Sequence, residues 1–90
     1  MRIARRYLIA GRVQGVGFRY FTERVAAQHG IQGWVQNTPD GRVEIEAEGD
    51  AEAMRQFESR VSAGPAGARV DHVDTTERAV GPLRSGFSIR

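Results

Sequence analysis

Three residues with chemical potential, Gly15, Gly17 and Arg19, fall within the run Gly11-Arg12-Val13-Gln14-Gly15-Val16-Gly17-Phe18-Arg19-Tyr20. An apolar segment leads into this run and an amphipathic one leaves it. Glycine has no Cβ and accepts φ > 0, so the chain can turn tightly here and aim its N–H groups one way. A loop that enters a helix N-terminus adds unpaired amides and the positive end of the helix dipole. Those features together make a site for an anion. Arg19, at the loop–helix junction, supplies a planar fork of donors that matches a phosphate.

A glycine-rich connection read alone is equally a plain turn. Three features favour the anion. The glycines lie two apart and immediately before a helix. An arginine sits at the helix start, where the dipole disfavours a cation unless an anion neutralises it. Val13, Val16 and Phe18 can anchor the loop while its amides face outward. Better-known phosphate loops do not fit. A P-loop requires Gly-Lys-Ser/Thr, and the chain contains no lysine. A dinucleotide fingerprint requires a third glycine where Tyr20 stands.

Asn37 closes the segment Gly33-Trp34-Val35-Gln36-Asn37, just before Thr38-Pro39-Asp40-Gly41. It reads either as an asparagine bonded to its own turn or as an amide that positions a water beside a bound phosphoryl group. No general base stands out. His29 lies at the end of a helix and His72 in a strand, and two separated histidines make no zinc or iron site. Asp40 and Asp50 read as turn and cap residues, and Glu44, Glu46 and Glu48 as a solvated face. Ester hydrolysis needs help for an alkoxide leaving group. An acyl phosphate instead releases a carboxylate, whose conjugate acid has a pKa of about 4 to 5. Phosphoryl transfer rests mainly on positioning and charge stabilisation. A cradle of amides, one arginine and one oriented water suffices for that reaction.

These residues need elements to hold them. Ile3 to Ala10 reads as a strand, with Tyr7 and Ile9 on one face and Leu8 and Ala10 on the other. Arg19 to His29 has apolar residues at helical spacing, and Gly30 ends it. Ile31 to Asn37 is a second strand. Thr38-Pro39-Asp40-Gly41 is a turn in which proline presets φ. Val43, Ile45 and Ala47 alternate with three glutamates in a third strand. Asp50 caps a second helix that buries Met54, Phe57 and Val61 and stops at Gly64-Pro65-Ala66-Gly67. Ala68 to Thr75 is a fourth strand, Glu77 to Ser85 a loop, and Phe87 with Ile89 a short last strand. The order β-α-β-β-α-β, with a terminal β extension, implies an α+β ferredoxin-like sandwich, an antiparallel sheet with two helices on one face.

Ninety residues make a single domain, 1–90, with one small core. There is no cysteine, hence no disulfide framework or thiol chemistry, which suits a reducing compartment. No signal-like apolar run follows Met1-Arg2-Ile3-Ala4-Arg5-Arg6, and no stretch is long enough to span a membrane. A cytoplasmic protein with no membrane partner is expected. The net charge of +2 comes from 13 basic residues, all arginine, against 11 acids. That small excess suits a small anionic substrate rather than a nucleic-acid backbone. No apolar helix face is left unassigned, so a monomer is expected.

The two motifs, in this order and spacing, resemble the acylphosphatase family closely. The resemblance runs nearly to the final Gly86-Phe87-Ser88-Ile89-Arg90, and neither motif departs from the family's pattern. It implies metal-free, cofactor-free hydrolysis of a carboxyl–phosphate anhydride to carboxylate and phosphate. The family's phosphate-binding arginine falls on Arg19 and its water-orienting asparagine on Asn37. The loop amides of Gln14, Gly15, Val16, Gly17, Phe18 and Arg19 would form the cradle. Rival readings are weaker. An RNA-recognition domain carries aromatics on its third strand, where this chain has glutamates. Acylphosphatase-like domains of carbamoyl-phosphate-processing maturation proteins sit in long chains. A non-catalytic phosphate or anion sensor has no use for Asn37.

Overall fold

In the computed structural model, which describes residues 1–81 and 85–90, five strands and two helices follow the expected order. They are β1 (Arg2–Arg12), α1 (Phe18–His29), β2 (Gln32–Asn37), β3 (Val43–Asp50), α2 (Ala51–Ala63), β4 (Arg69–Arg78) and β5 (Phe87–Ile89). The sheet order is β4-β1-β3-β2-β5. The four longer strands pair antiparallel, as expected. The short β5 departs from that pattern and runs parallel to β2.

Alternation along the strands builds the core. Tyr7, Ile9, Val35, Val43, Ile45 and Ala47 are fully buried on one face. Phe18, Val25 and Ala26 from α1, and Met54, Phe57 and Val61 from α2, close over them. Thr22 is also buried, its hydroxyl donating to the Phe18 carbonyl at 2.9 Å. Gly30 ends α1 in the left-handed conformation, and the Ile31 N–H reaches the Ala26 carbonyl at 2.9 Å. The Asp50 carboxylate caps α2 by accepting from the Glu52 N–H.

Three further expectations change. β1 runs beyond Ile3 to Ala10 at both ends. β4 continues past Thr75 to Arg78, so Glu77 and Arg78 belong to a strand rather than to a loop; Pro82 and the rest of 82–84 lie outside the described residues. β4 is an edge strand that buries little, so its end carries no apolar signal.

The face away from the helices is the third correction. The glutamates of β3 are not a solvated stripe, because an arginine stands against each, two from the adjacent β1 and one reaching across it from β4. Arg6 meets Glu44 at 2.6 Å, Arg78 meets Glu46 at 3.2 Å and Arg2 meets Glu48 at 3.0 Å. Glu48 is buried, and it also accepts the Gly81 N–H at 2.9 Å, pinning the chain beyond β4 onto this face.

Candidate active site

β1 ends at Arg12 and α1 begins at Phe18, so the glycine loop fills the interval between a central strand and a helix start. Val13 and Phe18, both nearly inaccessible, anchor its two ends in the core, and Val16 packs partly against it. Between these anchors Gly15 and Gly17 take φ of 75° and 77°. Gly17 is the N-cap residue of α1, with no side-chain cap bond and no acid in the first turn. The first-turn amides are therefore not satisfied by a capping side chain, and the dipole end is not neutralised from within the helix.

Asn37 reaches the same place by another route. It ends β2, paired with Val43, and Val43 in turn pairs with Ile9 near the end of β1. β3 thus sets the spacing between the strand that carries the loop and the strand that carries Asn37. The turn after Asn37 is locked from inside. The Thr38 N–H donates to the Arg42 carbonyl at 2.8 Å, and the Gly41 N–H donates to the Thr38 carbonyl at 3.2 Å. Asp40 is tied to Arg42 and to the Thr38 hydroxyl. Hydrogen bonds from Arg42 first, then Thr38, hold its carboxyl down at about 2. A carboxylate so stabilised is a poor proton acceptor, consistent with a turn residue rather than a base.

Val13, Gly15, Gly17, Phe18, Arg19, Tyr20 and Asn37 line one cleft of about 210 Å³. Of the residues singled out from sequence, Gly15, Gly17, Phe18, Arg19 and Asn37 meet there. Gln14 and Val16 belong to the loop but not to the cleft wall; Val16 turns toward the core, and the Gln14 side chain reaches the turn after Asn37. Arg19 donates through Nη1 to the main-chain oxygen of Arg90 at 3.0 Å, which fixes the aim of its guanidinium. Arg90 is itself held, its N–H on the Val35 carbonyl and its guanidinium 4.2 Å from the centre of the Trp34 ring.

Sequence reading missed Tyr20 as a wall residue and Arg90 as the partner of Arg19. Tyr20 is largely exposed, which a helical pattern shows only as a non-core position. His29 and His72 stand away from the cleft, and His72 faces Asp74 on β4. Among the described residues no group of three His, Cys, Asp or Glu side chains is placed to hold a metal ion, and no helix is long and apolar enough to cross a membrane.

The chain is similar to known proteins over nearly its whole length. The sequence model of the acylphosphatase family matches residues 5–89. An acylphosphatase from Koribacter versatilis is 48% identical over 75 residues, covering 83% of this chain and 68% of its own. One from Nitratidesulfovibrio vulgaris is 46% identical over 88 residues, covering 96% and 88%. The crystal structure of the Bacillus subtilis acylphosphatase superposes with a TM-score of 0.94 at 41% identity, over 98% of both chains.

Proposed function

This chain belongs to the acylphosphatase family and hydrolyses acyl phosphates, and we propose that it does so with Arg19 and the loop amides holding the phosphoryl group while Asn37 orients the attacking water. The observation that carries this assignment is the shared cleft. Asn37 lies far along the chain from the loop, yet lines the same wall as Gly15, Gly17 and Arg19.

The chemistry follows from the charges. The phosphoryl oxygens sit at the loop amides of residues 14–19 and against the helix dipole, where preorganised donors stabilise charge best. Arg19 adds charge-assisted bonds. A water held by the Asn37 amide attacks phosphorus in line. The P–O bond to the acyl group breaks, and the carboxylate leaves with the electron pair. The water's proton passes to a phosphate oxygen. Since a carboxylate is roughly ten pK units better as a leaving group than an alkoxide, no general acid is required. In this reading no metal ion or cofactor takes part. The protein acts as a cytoplasmic monomer, a single domain over 1–90, with no nucleic-acid partner. Both helices spend their apolar stripes on the core, which supports the monomer.

The test is hydrolysis of an aromatic acyl phosphate, with and without excess chelator, by wild type and Asn37→Ala. Chelator-insensitive turnover whose kcat falls on the order of 10²-fold or more in the variant, with inhibition by inorganic phosphate largely kept, is expected. Loss of phosphate inhibition along with kcat would make Asn37 a structural turn residue.

A further inference from the structure

Gln14 stands at the first bend of the loop, and its side chain leaves the cleft. Its amide nitrogen donates to two backbone carbonyls, Thr38 and Arg42, each at 2.9 Å. An NH₂ group has two protons, one for each carbonyl. These carbonyls lie on the two arms of the turn that follows Asn37. The turn does not need Gln14 to close, because Thr38 already bonds Arg42 through its N–H and its hydroxyl. What the two bonds add is a tie between the turn and the loop.

We infer that Gln14 is a positioning residue, whose side chain sets the separation between the phosphoryl cradle and Asn37. The inference rests on the reading of Asn37 as the residue that orients water. β1 and β2 are not neighbours in the sheet, so the loop and Asn37 share no direct backbone ladder. Their separation is set through β3 at one level and through Gln14 at the level of the site. The cradle itself has other supports in the buried Val13 and Phe18 and in the Arg19–Arg90 bond. Loss of the tie therefore leaves the phosphate held and the water misplaced. Misplacement by about 1 Å can lower a rate on the order of 10²-fold, and β3 limits the drift, so a smaller loss is expected.

The experiment pairs Gln14→Met, which keeps side-chain length but removes the donor, with Gln14→Ala. Each is made in wild-type and Asn37→Ala backgrounds. kcat, KM and the inhibition constant of inorganic phosphate are measured, with melting temperature as a check on folding. Both variants should lower kcat about tenfold in wild type, with the phosphate constant within about twofold. In the Asn37→Ala background neither should lower kcat further, since no positioned water remains to lose. Full kcat in Q14M, a phosphate constant that weakens in step with kcat, or losses that multiply in the double variant would each overturn the inference. A fully active Asn37→Ala would sink the water reading, and the role of Gln14 with it. A slow Asn37→Ala beside a fully active Q14M would sink the role of Gln14 alone.

Discussion

Arg19 shows how one residue can be legible in sequence while the contact that aims it is not. Its place at a helix start, where a cation is electrostatically unwelcome, is what suggests an anion partner for it. The oxygen that fixes its direction is a main-chain atom of Arg90, and any residue at that position supplies one. The same holds for Gln14, whose partners are two main-chain carbonyls with no side-chain signature. Side-chain chemistry is written in the sequence, whereas bonds to distant backbone depend on register. With Arg19 proposed to contact the phosphoryl group in ground and transition states alike, Arg19→Ala should lower kcat/KM on the order of 10²–10³-fold and weaken phosphate inhibition as well. Steady-state kinetics with phosphate as inhibitor separates this outcome from that of Asn37→Ala, which keeps phosphate. Near-normal kinetics would remove Arg19 from the site.

At the scale of elements, periodicity placed the strands and helices, and pairing decided what periodicity could not. Tyr7, Ile9, Val43 and Ile45 alternate cleanly, so the core face was readable. The far ends of β1 and β4 were not, because they hold their ladder through charged and polar residues. Nor does alternation reveal that an arginine faces each glutamate, since that depends on which strand lies alongside. Two glycines show how much context matters. A Cβ on Gly17 would meet nothing within 4 Å, so only its left-handed backbone resists substitution. A Cβ on Gly33, at φ 142°, would lie 1.8 Å from the Glu46 carbonyl oxygen across the β2–β3 ladder. Gly17→Ala should cost about 1–2 kcal/mol. Gly33→Ala should cost more, because strain adds to a clash with backbone that cannot rotate away. Urea unfolding of the two variants gives the order directly. Equal losses would mean that the β2–β3 pair shifts easily to admit the methyl group.

The molecule as a whole uses arginine wherever a basic side chain is needed. Guanidinium does not titrate in proteins, so the acid limit of stability rests on its carboxylate partners. Asp40 is held down to about 2 by Arg42 and Thr38. Burial raises Glu44, but Gln36 and Arg6 outweigh it and leave it below the usual value. The Gly81 N–H, then Arg2, lower Glu48, and Arg55 and Arg69 lower Glu52 and Asp71. A carboxyl whose folded pKa lies below its unfolded value contributes stability above the unfolded value and loses it as pH falls toward the folded one. The ordinary values are 3.8 for aspartate and 4.5 for glutamate. The melting temperature should therefore begin to fall below about pH 4.5 and continue down to about 2. Asp40, Glu52 and Asp71 are in water, where salt weakens their pairs. Side chains 15% and 4% exposed shield Glu44 and Glu48 better, so these two should dominate the decline at high salt. The Glu44→Gln, Glu48→Gln double variant should melt lower than wild type at pH 7 and lose less on acidification, the two curves converging near pH 2. Parallel curves would place the acid sensitivity outside the Arg–Glu face of the sheet.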